Sequence, residues 1–158
     1  MSTQRTWDRP KEPRFLLDGR TGNAVTNGDH TPPPNIREAM DFVAARPLWS
    51  KIDLHDGYHI IRLNLCHAKH MTCLCHLVHY RSRVMQQGDC NSIAIMSRAM
   101  NAIFRDMIHN DLIMYIHDST IASRNYKQHV GALPKVLLHL QDQQCSLKQS
   151  QCQFFTRV

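Results

Sequence analysis

The stretch Leu112–Ser123 reads LIMYIHDSTIAS and decides the fold. Two apolar runs with strand character flank a polar pair, His117-Asp118, which predicts a hairpin with a tight turn. Earlier in the chain, residues 49–54 form a second apolar run that carries a lone carboxylate, Asp53. A carboxylate on each of two adjacent strands suits Mg²⁺, which prefers hard oxygen ligands and keeps much of its water. His117 stands where a second carboxylate of the turn is expected.

Composition predicts one globular domain with a basic surface. The chain has 158 residues, 42% of them hydrophobic and 20% charged, which are ordinary values for a folded domain. The net charge is +6, and residues 119–158 hold five Lys or Arg against one acidic residue. This excess favours a polyanionic partner, although a solvated basic surface explains the charge equally well.

The sequence predicts an intracellular protein, cytoplasmic or nuclear, without a membrane segment. No apolar run approaches the roughly 20 residues that a helix needs to span a bilayer. The N-terminus lacks the hydrophobic core of a signal peptide. We therefore expect the six cysteines to be reduced thiols.

Periodicity and turn signals predict an α+β fold, an antiparallel sheet with helices packed on one face. A helix is expected to begin at Asn35, with Glu38 completing a capping box. Its apolar face would be Ile36, Ala39, Met40 and Val43. The remaining predicted helices cover residues 92–109 and 125–143, the latter with a face of Val130, Leu133, Leu137 and Leu140. Predicted strands cover residues 14–18, 49–54, 60–63, 71–75, 78–85, 115–123 (a pair), 146–148 and 153–155, and residues 19–34 are predicted to be an irregular connection.

Several motifs occur in one collinear order from residue 14 to residue 155. Residues 50–62 read SKIDLHDGYHIIR, residues 100–104 read MNAIF and residues 115–123 read YIHDSTIAS. These resemble SKIDLxxGYHxIR, MNxIF and YLDDILIAS of the reverse transcriptases of gypsy-type long-terminal-repeat retrotransposons. Further matches to the same family are Arg14-x-x-x-Asp18-x-Arg20-x-x-Asn23, Pro32-x-Pro34-x-Ile36, His79-Tyr80 before Val84-Met85, His129-Val130, and Ser146-Leu147-Lys148 before Cys152-x-Phe154-Phe155.

The resemblance implies a reverse-transcriptase-like fingers/palm fold and descent from an RNA-directed DNA polymerase. Residues 1–34 would be an N-terminal arm and fingers-like segment. Residues 35–158 would be a palm-like domain that ends near the primer grip, without thumb, connection or ribonuclease H regions. The implied partners are RNA or DNA template-primer and Mg²⁺.

The resemblance also implies the site residues. The catalytic positions would be Asp53, His117 and Asp118, of which Asp53 and Asp118 would bind metal. The nucleotide-binding positions would be Arg14, Tyr58, Gln87 and Gly88, with Tyr58 as an aromatic gate against the ribose 2′-hydroxyl. A core tyrosine and a surface arginine are the structural alternatives for Tyr58 and Arg14.

His117 replaces the first aspartate of the family's Y-x-D-D box. Imidazole is a neutral, softer ligand that suits zinc or copper better than magnesium. Loss of one well-placed electrostatic group typically costs about 10²–10³ in rate. The sequence therefore predicts a catalytically impaired polymerase.

Residues 85–97 depart furthest from the family, reading MQQGDCNSIAIMS where the family has MPFGLxNAPAxFQ. Asp89 and the Gln86-Gln87 pair are expected to harm an apolar pocket without compensation, which favours a non-functional product of a decaying retroelement. A non-catalytic nucleic-acid-binding protein is the other alternative.

A cluster of Cys and His over residues 66–79 could hold a soft metal, but alternate residues of a strand face opposite sides, which disfavours zinc. The other histidines are predicted to occupy ordinary surface and sheet positions.

Overall fold

The central sheet is four-stranded and antiparallel, and a smaller two-stranded sheet accompanies it. The computed structural model describes residues 18–32, 34–74, 76–116 and 118–157. The strands are β1 (Leu48–Asp53), β2 (Thr72–Leu74), β3 (His79–Arg81), β4 (Leu112–Tyr115), β5 (Asp118–Ser123) and β6 (Gln153–Arg157). The helices are α1 (Arg20–Val25), α2 (Ile36–Ala44), α3 (Leu65–Ala68), α4 (Ser92–Ile103) and α5 (Tyr126–Asp142), with 3₁₀ turns at Gly57–Ile60 and Gln149–Gln151.

The hairpin β4–β5 confirms the predicted strand pair. Tyr115 pairs with Asp118, so Asp118, predicted to be a turn residue, is the first residue of β5. Ile116 has φ 59°, a left-handed conformation that β-branched residues rarely adopt. His117 lies outside the described residues.

Strand β1 occupies the interior of the sheet, in the order β4-β5-β1-β6. Leu48, Ser50 and Ile52 are buried, whereas the alternating residues of β1 are half-buried, as the two-residue period of a strand requires. Helix α5 packs against β1 and β5, while α2 and α4 pack against β4. One face of the sheet packs on the core shared with α4 and α5. The opposite face, called the open face below, is partly buried at Ile113 and Ala122.

The three predicted helices are present as α2, α4 and α5 and differ in detail, whereas α1 and α3 were not predicted. The Asn35 side chain caps α2 by accepting a hydrogen bond from the Arg37 backbone N–H, as predicted. The predicted apolar face of α2 is only partly buried: Ala39 and Val43 are half-buried, whereas Ile36 and Met40 are 57% and 65% exposed. Residues 19–34, predicted to be irregular, include α1, and α4 ends at Ile103 rather than near residue 109.

The predicted strand at residues 146–148 is also wrong, since Leu147 forms only an isolated bridge with Leu54. The β2–β3 hairpin is present but shorter than predicted. Four of the five residues of the strand predicted at 14–18 lie outside the described residues. Among the described residues, no helix has the length and apolar character needed to cross a membrane.

A buried hydrogen-bonded network joins α5 to the sheet through His129, which is 0% exposed. Its Nε2 lies 2.7 Å from Ser50 Oγ on β1, and its Nδ1 lies 3.0 Å from Ser123 Oγ on β5. Because both ring nitrogens have hydroxyl partners, the imidazole is satisfied without a charge. The prediction of an ordinary surface or sheet position is therefore wrong for this histidine, and burial lowers its pKa.

The same network supports a bulge in β6. The β1–β6 register shifts between Trp49 and Lys51, so two residues of β6 oppose Ser50. Phe155 in this bulge has φ 54°, and its backbone N–H donates to Ser50 Oγ at 3.0 Å. The Phe155 ring packs edge-on against the His129 ring, with centroids 5.2 Å apart. Ser50 thus links the His129 network to the edge strand.

We predict that His129 makes the free energy of unfolding fall as the pH drops below about 6.5. The unfolded chain takes up a proton near that pH, whereas the buried imidazole, with its lowered pKa, resists protonation. The contribution of His129 to stability is therefore fully present above this pH and is lost as the pH falls through and below it.

Urea unfolding of the wild type, His129→Gln and His67→Gln at both pH values would measure this loss. His67 is exposed and is the matched control. An equal pH dependence in the wild type and the His129→Gln variant would contradict the prediction.

Candidate functional site

Two carboxylates meet at one end of the central sheet. Asp53, the last residue of β1, pairs directly with Asp118, the first residue of β5. Cross-strand partners share a face, so both side chains lie on the open face, away from α5. The chain thus has a carboxylate on each of two adjacent strands, side by side.

The backbone of Asp53 is held on both sides. Its carbonyl oxygen accepts a hydrogen bond from the Lys148 backbone N–H at 2.9 Å. Its own N–H donates to Cys152 Sγ at 3.4 Å. These contacts anchor the end of β1 and therefore the position of its carboxylate.

Lys51 neutralises one member of the carboxylate pair. Its Nζ lies 2.9 Å from Asp118 Oδ2, with the two side chains 35% and 28% exposed. The other oxygen, Asp118 Oδ1, is buried and has no hydrogen-bond partner among the described residues. An unsatisfied buried carboxylate oxygen is costly, so this atom is suited to accept a further ligand.

The donor set fits Mg²⁺ in the manner of nucleotide-handling sites. Such sites use one or two carboxylates together with substrate phosphates rather than a cage of protein ligands. Asp53 and Asp118 supply two hard oxygen donors, and Asp118 Oδ1 is unpartnered. The described residues contain no group of three or more His, Cys, Asp or Glu arranged to hold a metal ion. This holds also for the described residues of the Cys and His cluster at 66–79. Cys75 of that cluster lies outside the described residues.

An open cavity of about 410 Å³ brings together three of the four residues predicted to bind nucleotide: Tyr58, Gln87 and Gly88. The fourth, Arg14, lies outside the described residues. Gly88 has φ 104°, a conformation that side chains rarely adopt. Burial raises the pKa of the Tyr58 hydroxyl, and its ring also packs against the core. The gate and core hypotheses for Tyr58 therefore both fit this position.

The polar residues near the cavity have compensating partners, contrary to the expectation from the sequence. The side-chain amide of Gln86 donates to Ser82 Oγ at 2.7 Å, and the Gln86 backbone carbonyl accepts from Ser92 Oγ at 2.9 Å. Asp89 Oδ1 accepts the Asn91 backbone N–H at 2.9 Å. These contacts explain how polar side chains can stand at positions where the family has apolar residues, since the atoms named here have hydrogen-bond partners.

The sequence analysis gave no role to Asn23. This residue of α1 forms hydrogen bonds with Gly88 and Cys90, which belong to the cavity wall. Its Nδ2 donates to the Gly88 carbonyl at 2.8 Å, and its Oδ1 accepts the Cys90 backbone N–H at 3.0 Å. Gly19, at the start of α1, lies so close that a Cβ there would stand 2.7 Å from the Gly88 oxygen. The asparagine of the R-x-x-x-D-Y-R-x-L-N motif was the available signal for this contact.

A second set of polar contacts holds the segment after α1 to α4. Asp29 donates its backbone N–H to Asn91 Oδ1 at 2.7 Å. Its carboxylate accepts from Thr31 Oγ1 at 2.6 Å and forms an ion pair with Arg98. Bonds from Thr31 and Arg98 lower the pKa of Asp29, so this carboxylate stays ionised at neutral pH.

Comparison with known proteins identifies a matching family and several relatives of similar sequence. The family model for reverse transcriptase (RNA-dependent DNA polymerase) matches residues 5–158. The chain is 27% identical to the retrovirus-related Pol polyprotein from transposon 297 of Drosophila melanogaster, covering 96% of this chain and 15% of that protein. It is 26% identical to an RNA-directed DNA polymerase homolog of Oenothera berteroana, covering 76% of this chain and 87% of that protein. A Transposon Tf2-3 polyprotein of Schizosaccharomyces pombe is 23% identical, over 89% of this chain and 11% of its own length.

Solved structures with a similar fold are foamy viral enzymes. The foamy viral protease-reverse transcriptase dRH in complex with double-stranded DNA has a TM-score of 0.82 at 16% identity, covering 94% of this chain and 26% of that chain. The foamy viral protease-reverse transcriptase in complex with an RNA/DNA hybrid has a TM-score of 0.79 at 15% identity, covering 91% of this chain and 20% of that chain. The likeness confirms the predicted α+β fingers/palm fold.

We predict that Gly19→Ala loosens the cavity wall, whereas Gly22→Ala does not. The new Cβ at position 19 would meet the Gly88 backbone oxygen at 2.7 Å, while a Cβ at position 22 has nothing within 4 Å. Overpacking of this kind costs about 1–3 kcal/mol, whereas alanine for glycine inside a helix is favourable.

Hydrogen–deuterium exchange over residues 86–92 would report the change directly, as faster exchange in Gly19→Ala alone. Equal protection in both variants would show that the close approach to Gly88 does not constrain the wall.

Proposed function

The chain belongs to the reverse transcriptase (RNA-dependent DNA polymerase) family, and we propose that it is the fingers–palm portion of a retrotransposon polymerase with impaired catalysis. The observation that carries this proposal is the direct pairing of Asp53 with Asp118 on the open face of the sheet. The two carboxylates that match the family motifs, Asp53 and Asp118, are cross-strand partners, while the third position of that set is His117.

In this proposal each group has one task. Asp53 and Asp118 would hold Mg²⁺, and a bound ion would supply charge stabilisation at the phosphorus centre and lower the pKa of the primer 3′-hydroxyl. Tyr58, Gln87 and Gly88 line the cavity that would accept the nucleotide, and Arg14 would bind its phosphates, for which a guanidinium is suited. The Asn23 contacts to Gly88 and Cys90 keep the wall of that cavity in place.

His117 is the reason for the impairment. Two divalent ions close together need several anionic ligands, and a neutral imidazole removes one full negative charge from their surroundings. The remaining carboxylates carry a charge of −2, of which Lys51 neutralises part through its contact with Asp118. The site is therefore electrostatically weaker than one with three carboxylates.

The proposal includes the division into a fingers-like segment within residues 1–34 and a palm-like domain over residues 35–158. The chain spans 15% and 11% of the lengths of the two transposon polyproteins, so the activities of those whole proteins are not carried over. An intracellular location, cytoplasmic or nuclear, belongs to the proposal as well.

A non-catalytic nucleic-acid-binding protein is the second candidate, favoured by the charge of the chain. Five Lys or Arg lie among residues 119–158 against one acidic residue. Lys148 belongs to this group and lies beside the end of β1, where its backbone N–H donates to the Asp53 carbonyl. A duplex or single strand on the open face would place phosphates near this residue.

We predict that His117→Asp restores template-directed synthesis that the wild type lacks. The revertant regains a hard anionic ligand, and primer extension on an RNA template with Mg²⁺ should rise by about 10²-fold or more. Asp53→Ala in the revertant should abolish the gain. Asp53-dependent extension by the wild type at the level of the revertant would contradict impairment through His117.

We predict that the wild type binds template-primer duplex with an affinity that falls steeply as the salt concentration rises. Lys148→Ala should lower the slope of log affinity against log salt by about 1, as expected for one lost phosphate contact. Lys135→Ala, an exposed change on α5, is the matched control with an unchanged slope.

Fluorescence anisotropy at several salt concentrations would measure both slopes. Binding without extension by either the wild type or the His117→Asp variant would favour the second candidate. The absence of both would favour the product of a decaying retroelement.

A further inference from the structure

Lys51 lies on the same face of β1 as Asp53, two residues away, and its Nζ contacts Asp118 Oδ2 at 2.9 Å. The three charged side chains therefore form one cluster across two strands, two anions and one cation. Asp118 uses one carboxylate oxygen for this ion pair, and its other oxygen is unpartnered among the described residues.

Like charges directly opposite each other on adjacent strands repel. The Asp53–Asp118 pairing is such an arrangement, and neither side chain is fully exposed. A cation within contact distance of one carboxylate offsets the repulsion, and the flexible stem of lysine lets its ammonium move without displacing the strand.

We propose that Lys51 is a built-in counter-cation of the carboxylate pair, which competes with a divalent ion for Asp118 and withdraws when that ion binds. This inference rests on the proposed function of Asp53 and Asp118 as metal ligands. Lys51 acts through Asp118 and is a positioning residue. It makes the affinity of the site for divalent ions lower than two carboxylates alone would provide.

Mn²⁺ binding, followed by the electron paramagnetic resonance signal of the free ion, tests the proposal without any turnover. Lys51→Gln removes the competing charge and should bind Mn²⁺ about tenfold more tightly than the wild type, the size expected for one contact between partly screened charges. Lys51→Arg keeps the positive charge and should bind like the wild type. Lys127→Gln, on exposed α5 surface, is the control for a general loss of positive charge.

A second measurement uses the wild-type protein, so it tests the proposal even if the Lys51→Gln variant does not fold. Acetylation of individual lysines, quantified by mass spectrometry, should be several-fold faster at Lys51 with saturating Mn²⁺ than with a chelator. Lys127 should be modified equally in both conditions.

The outcomes separate this inference from the proposed function. The role of Lys51 is overturned, and the metal site is left intact, by the following result. Asp53→Asn weakens Mn²⁺ binding, but Lys51→Gln changes it less than twofold or Lys51 acetylation is unchanged by Mn²⁺. An absence of Mn²⁺ binding in every variant overturns both. Tighter binding in Lys51→Gln, together with faster Lys51 acetylation, supports both.

Discussion

The register of β1 against β5 is the constraint on which the rest of the structure depends. Because side chains alternate along a strand, a slip of one residue would exchange the buried and open faces. The observed register pairs Asp53 with Asp118 and also Ser50 with Ile121. The same pairing that keeps Ser50 and Ile52 beneath α5 therefore brings the two carboxylates together on the opposite face.

Two sets of polar contacts hold this arrangement from either side. On the covered face, His129 joins α5 to both β1 and β5 through buried serine hydroxyls. Beside the cavity, Asn23 joins α1 to the loop that contains Gly88 and Cys90. Side-chain networks of this kind specify one geometry because a displaced partner leaves a polar group unsatisfied. The side-chain hydrogen bonds of His129 and Asn23 therefore position the sheet and the cavity wall. Neither secondary-structure propensity nor the periodicity of hydrophobic residues predicts these bonds.

The sequence supported accurate prediction wherever a period or a motif was strong. The strand at β1, the hairpin around Tyr115, the cap at Asn35 and the long helix α5 all follow from local signals. Prediction was wrong where tertiary packing chooses among local options. In α2, an amphipathic stripe exists but Ile36 and Met40 remain exposed, because the helix covers only part of the sheet. His129 was predicted to occupy an ordinary surface or sheet position, although its spacing to Ala132, Leu133 and Val136 places it on the buried stripe of α5.

The sequence by itself determined the family, the antiparallel α+β character and the identity of the carboxylates, since ordered motifs and strand periods are local properties of the chain. Only the tertiary structure decided which groups meet. The contact of Lys51 with Asp118, the close approach of Gly19 to Gly88 and the partners of Gln86 and Asp89 depend on strand register and on contacts between segments far apart in sequence. Such contacts are set by three-dimensional packing, which brings together residues that no local pattern relates.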